Sequence, residues 1–155
     1  MNHETRILLV EDDHLQAHAI QSGLRILLQR EYPHLVFTPI STESDLYNRF
    51  DEIARKGFDL AIIDVMLRWA DPSPEMPEPL PEVVEGGFFR AGVRCKQKLQ
   101  SDPRTSSIPV IIYTVLDESR LPPGIDDVVP KGADLSPLAD RIRARLRREP
   151  RSADE

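Results

Sequence analysis

Two kinds of apolar pattern alternate along the chain. Ile7-Leu8-Leu9-Val10, entered through Arg6, and Ala61-Ile62-Ile63, inside the run Phe58 to Val65, are unbroken apolar stretches without alternation. That is the pattern of strands covered on both faces, as in the middle of a parallel sheet. Leu35 to Thr38, Ile108 to Tyr113 and the short Val128-Val129 predict three more strands, with Pro109 at a strand start where a missing donor is tolerated. Between the strands the spacing becomes helical. A helix is expected from His14 to about Glu31, with Leu15, Ala19, Leu24, Leu27 and Leu28 on its apolar face. A second, capped by Ser41 or Ser44, runs to about Lys56 with Leu46, Phe50, Ile53 and Ala54 inward. A third spans 88 to 100, weakened by Gly92 and stopped by Asp102-Pro103. The last runs from Ser136-Pro137 to about Arg148, with Leu138, Ile142 and Leu146 inward. Between Val115 and Asp126, Pro122, Pro123 and Gly124 leave room for about one turn. Strand and helix thus repeat five times, which predicts a parallel sheet with helices on both faces.

The strand ends carry the candidate chemistry. An aspartate closing a strand is by itself most often a turn residue. Here, however, Glu11 and Asp12, Asp64, Thr114 and Lys131 all fall at carboxyl ends of predicted strands, the edge where ligands bind in open α/β sheets. Three crowded carboxylates repel and raise one another's pKa unless a cation sits among them. A hard, oxygen-preferring ion such as Mg2+ suits that donor set and keeps waters for a phosphate to replace. Lysine would supply a point charge and threonine a hydrogen bond to phosphate oxygens, with an aspartate nucleophile forming an aspartyl phosphate. His14 and His18 lie four apart on the first helix but have no third ligand in sequence, so they read as a solvated face.

Length and composition then bound the picture. With 155 residues and 40% hydrophobic content, one domain over residues 1–150 is expected, followed by a disordered tail at 151–155. No signal peptide or membrane-length apolar run is present in the sequence, and the single cysteine, Cys95, builds no disulfide framework, so a cytoplasmic protein is expected. A net charge of -6 argues against general nucleic-acid binding. The arginines at 141, 143, 145, 147, 148 and 151 therefore read as the solvent side of the last helix, a protein-partner surface or a homodimer face. Five of the 14 prolines fall between Pro72 and Pro81, interleaved with Asp71, Glu75, Glu78 and Glu82. An extended surface loop over about 68–86 follows, in which Trp69 and Met76 need either the domain's own surface or a partner.

In this order the motifs resemble the receiver domain of two-component response regulators, the CheY-like family. ILLVEDD is similar to that family's first strand and acidic pair, AIIDVML to its phospho-acceptor strand, IPVIIYT to its fourth strand with the switch hydroxyl, and VVPKG to its lysine turn. The resemblance spans residues 5 to about 148. It implies a flavodoxin-like three-layer sandwich with a five-stranded parallel sheet of order 2-1-3-4-5, here with the fourth helix reduced. It further implies that Asp64 accepts a phosphoryl group, that Glu11, Asp12, Asp64 and the carbonyl of Met66 hold Mg2+, and that Thr114 and Lys131 contact the phosphoryl group. Asp12 would be the direct ligand of the acidic pair. A histidine kinase or histidine phosphotransfer protein would be the donor and a downstream protein the recipient of the signal, with no catalysis beyond the domain's own phosphoryl transfer and dephosphorylation and no effector domain after residue 150.

The chain departs from that pattern in three places. Roughly twenty extra residues separate Asp64 from Gly92, the position matching the glycine that opens the family's third helix. Val128 stands where an aromatic switch residue is expected, and Gly132 follows Lys131 in place of a proline. Two other readings stay open: a receiver-shaped adaptor that is never phosphorylated, and a phosphatase of the haloacid dehalogenase type, which needs a carboxylate where this chain has Met66.

Overall fold

A computed structural model describes residues 3–87, 90–121, 123 and 125–147. The expected start of the third helix at Phe88 and Phe89, Pro122 and Gly124, the end of the last helix at Arg148 and the tail 151–155 lie outside these residues. Five parallel strands, β1 (Thr5–Val10), β2 (Leu35–Ile40), β3 (Leu60–Ile63), β4 (Val110–Thr114) and β5 (Val128–Pro130), form one sheet in the order β2-β1-β3-β4-β5. The expected strand order is therefore found. Pro39 lies in β2, an edge strand, where its lost amide breaks no internal ladder.

Because successive side chains of a strand point to opposite faces, each central strand supplies two cores. Leu8, Val10, Ala61, Ile63 and Ile112 pack on one face with α2 (Glu43–Asn48), α3 (Phe50–Lys56) and α5 (Ala91–Ser101). Ile7, Leu9, Ile62, Ile111 and Tyr113 pack on the other with α1 (His14–Leu28) and α6 (Ser136–Arg147). Four buried residues in β3 explain its unbroken apolar run. Among the described residues the reduced element after β4 is a 3-10 turn, Glu118–Arg120, ahead of the prolines. Among the described residues no helix is long and apolar enough to cross a membrane.

Four local expectations need correction. The buried face of α1 is Ala17, Ile20, Leu24 and Leu28, while Leu15 is 84% exposed and Ala19 faces solvent. Asp13 fixes this phase by capping the helix, its side chain accepting from the amides of Leu15 and Gln16. The second predicted helix is two helices, broken at Arg49 (φ −101°, ψ 12°), and its cap is Thr42 rather than Ser41 or Ser44. The expected loop ends in a short helix, α4 (Pro81–Gly86), in which Pro81 takes the first helical position, where no donor is needed. Its Val83 is buried.

The rest of that loop is anchored at its start. Trp69 packs on Tyr47 at 5.8 Å between ring centroids and donates from Nε1 to the Pro77 carbonyl at 2.8 Å. The amides of Glu43 and Ser44 donate to the carbonyls of Arg68 and Trp69 at 3.0 and 2.7 Å. Glu43, fully buried, accepts from Nε and Nη2 of Arg94 at 2.6 and 2.8 Å, and Arg94 also reaches the Gly87 carbonyl at 2.8 Å. Trp69 thus docks on its own domain, whereas Met76 remains 44% exposed.

Candidate functional site

The three consecutive acids after β1 have three different tasks. Asp13 caps α1. Glu11 is 4% exposed, pairs with Lys131, and accepts the amide of Asp13 at 3.2 Å. Asp12 is held by Arg68, whose amide donates to Oδ2 at 3.2 Å and whose Nη2 donates to the Asp12 carbonyl at 2.9 Å. A single strand end therefore serves a helix cap, a lysine pair and an arginine pair.

Asp64, 7% exposed at the end of β3, accepts from Lys131 Nζ at 2.8 Å through Oδ2. Lys131 comes from the turn after β5 and is placed by its own amide, which donates to the Thr114 carbonyl at 2.8 Å. Its ammonium also donates to Glu11 and, at 2.8 Å, to Gln16 Oε1, so each of its three protons has an acceptor. Burial pulls the Lys131 pKa down, but the hydrogen bonds it donates to Asp64 and Glu11 outweigh it and the net direction is up. Glu11 moves up as well, because burial outweighs the Lys131 hydrogen bond that opposes it. The pair is thus a charged lysine bridging two acids, one of them made more basic by its surroundings.

The start of α5 presses against this strand end. Gly92 donates its amide to the Val65 carbonyl at 2.8 Å, and a Cβ at Gly92 would lie 2.2 Å from the Asp64 carbonyl oxygen. The glycine that weakens the helical reading is therefore required by contact with the Asp64 backbone.

A cavity of about 400 Å³ is lined by Glu11, Asp12, Asp64, Met66 and Lys131, together with Gln16 and Arg68. Thr114 is fully buried at the end of β4; its hydroxyl takes a long contact of 3.4 Å from the Leu116 amide, and the next residue, Val115, lines the cavity. Val128, in the place of an aromatic residue, is half-buried against the core on the α2, α3 and α5 side. At Gly132 a Cβ would meet nothing within 4 Å, so packing does not demand glycine there. Among the described residues no three acidic, cysteine or histidine groups form a preassembled metal cluster, and His14 and His18 are both exposed. The acidic groups around the cavity are nevertheless all carboxylates, and the two groups that neutralise Glu11, Asp12 and Asp64 are protein cations, Lys131 and Arg68. That donor chemistry fits a hard divalent ion.

Gln16 and Arg68 were not among the residues expected here. Gln16 carried a local signal, lying one turn into a helix that starts directly after the acids. Arg68 meets Asp12 across 56 positions and carried none.

No protein-family model matches the sequence, and no curated protein matches it at a significant level. Solved structures do. The bacteriophytochrome response regulator AtBRR is similar over 99% of both chains, with 15% identity and a TM-score of 0.60. A CheY-like response regulator receiver domain from Methylobacillus flagellatus is similar over 92% of this chain and 99% of its own, with 15% identity and a TM-score of 0.62. The chemotaxis response regulator CheY4 of Vibrio cholerae matches 93% of this chain and 100% of its own, with 13% identity and a TM-score of 0.57. The strand order and the near-complete coverage agree, and the fold of this chain is that of the CheY-like response regulator receiver domain.

Proposed function

We propose that this chain is a phosphoryl-accepting receiver in which Asp64 is the nucleophile. The observation that carries the reading is the Lys131 ammonium bridging Asp64 and Glu11 at the edge of a cavity that also holds Asp12 and Met66. A site that brings a lysine and a strand-end aspartate together over space for a phosphoryl group suits in-line transfer better than it suits an inert scaffold.

With Oδ2 engaged by Lys131, Asp64 Oδ1 has only a long contact of 3.4 Å from the Met66 amide and is the freer nucleophile. It attacks the phosphorus of a donor phosphohistidine. The new O–P bond forms as the N–P bond breaks, and the histidine of a kinase or phosphotransfer protein leaves with the bonding pair. Lys131 then turns from the carboxylate to a phosphoryl oxygen, keeping a charge-assisted hydrogen bond. Glu11, Asp12, Asp64 and the Met66 carbonyl are the residues to hold Mg2+, which when bound neutralises charge on the phosphoryl oxygens. Thr114, fully buried at the end of β4, would reach the phosphoryl group by a movement of the turn that follows. Phosphorylation adds about two negative charges at pH 7, enough to reorder that turn. The output is a contact with a downstream protein, and the domain turns over no substrate beyond its own phosphoryl group. With Val128 in place of an aromatic ring, the output does not use ring rotation at that position.

Incubation with acetyl phosphate and Mg2+, read by intact mass, tests this. One added phosphoryl group is expected, abolished by Asp64→Asn with the fold retained. No mass gain under conditions that label a receiver control would favour the adaptor.

A further inference from the structure

Arg68 sits at the root of the inserted segment and lines the same cavity as the acids. It grips Asp12 from three sides: amide to Oδ2 at 3.2 Å, Nη2 to the Asp12 carbonyl at 2.9 Å, and Nε to Oδ2 at 3.7 Å. Its own backbone is fixed from behind, because its carbonyl accepts the Glu43 amide at 3.0 Å and the next carbonyl accepts Ser44. A second carboxylate, Asp71 in the insert, is 3.7 Å from Nη2. Arg68 is thus a cation held between one acid of the cavity and one acid of the insert.

We propose that Arg68 is a built-in counter-cation that holds Asp12 against metal loading, so that an ion entering the cavity displaces the guanidinium from Asp12 and leaves it to Asp71. This rests on the receiver reading above and adds to it a regulatory contact supplied by the insert. A carboxylate already engaged by a guanidinium is a poorer ligand for an incoming cation, because the pairing must be given up on binding. Arg68 is 48% exposed and Asp12 25%, so the pair is weak enough to exchange rather than lock. All three acids expected to hold the ion are engaged by protein cations: Lys131 takes Glu11 and Asp64, and Arg68 takes Asp12. The insert's position then becomes an input to the site, since anything that draws Arg68 toward the insert frees Asp12.

Calorimetric titration of the unphosphorylated protein with Mg2+ reads this without any phosphoryl transfer. Arg68→Gln is expected to bind Mg2+ about two- to fivefold more tightly than the parent, the range an exposed ion pair sets. Arg68→Lys should fall between them, and the difference should shrink as salt screens the pair. Asp71→Asn, which removes the alternative partner, should bind more weakly than the parent. Equal or weaker binding in Arg68→Gln, with binding still lost in Asp12→Asn, overturns the proposal and leaves the receiver reading standing. No binding heat in any of these proteins overturns both.

Discussion

Gly92→Ala adds one methyl group at the point where α5 meets the end of β3. The new Cβ would lie 2.2 Å from the Asp64 carbonyl oxygen, 2.7 Å from Val65 Cα and 2.9 Å from the Asp64 carbonyl carbon, all inside the 3.0 Å that real Cβ atoms essentially never breach. All three are backbone atoms, so no side chain can swing aside. Either the helix start backs away, losing the 2.8 Å bond from the Gly92 amide to Val65, or the strand end carrying Asp64 moves. Overpacking of this kind costs about 1–3 kcal/mol, and the lost hydrogen bond about 1 kcal/mol more. Alanine's better helix propensity returns up to about 1 kcal/mol. A net loss of roughly 1–4 kcal/mol is expected, from the midpoint shift in urea denaturation at unchanged slope. Labelling by acetyl phosphate should fall with it, since displacement of a reacting group by about 1 Å costs on the order of a hundredfold. An alanine variant as stable as the parent and labelled at the parental rate would refute the claim that this contact positions Asp64.

Two further perturbations probe other parts of the account. Glu43→Ala removes the carboxylate that pairs with Arg94 and accepts from Tyr47 at 2.6 Å. With the two ion-pair side chains 0% and 10% exposed, urea denaturation should show a loss of about 3–5 kcal/mol, and a loss below 1 would contradict the view that this pair anchors the insert. Glu11 has a folded pKa raised above its reference value of 4.5, so the folded state holds its proton more tightly. Its contribution to stability is fully present below the unfolded pKa and is lost as pH rises through the folded one. Relative to Glu11→Gln, the parent should therefore lose stability as pH climbs from 4.5 toward neutrality, and a parent that gains stability over that window would reverse the assignment.

The sheet was legible because Ile7 to Val10 of β1 and all of β3 lie between two helical layers, and that requirement writes itself into consecutive apolar residues. Helix phase was less legible. Leu15 and Ala19 competed with Ala17 and Ile20 for the buried face of α1, and the choice was made by the Asp13 cap and the strand before it. Thr42 was hidden among adjacent hydroxyl residues, and the break at Arg49 involves neither glycine nor proline. At the site, Glu11, Asp64 and Lys131 converge as expected and Met66 lines the same cavity. Thr114 is fully buried at the end of β4, and the next residue, Val115, lines the cavity. Arg68 and Arg94 escaped notice because their partners, 56 and 51 positions away, leave no periodic trace.

The central claim is that Asp64 is the residue that takes the phosphoryl group. Borohydride reduces an acyl phosphate to an alcohol, so after acetyl phosphate and Mg2+ treatment a phosphorylated aspartate becomes homoserine and can be located by peptide mapping. Homoserine at position 64 and at no other carboxylate is the expected result. A reduced side chain at another carboxylate, homoserine at Asp12 or a surface aspartate or the five-carbon hydroxy amino acid at Glu11, with position 64 untouched, would contradict the account.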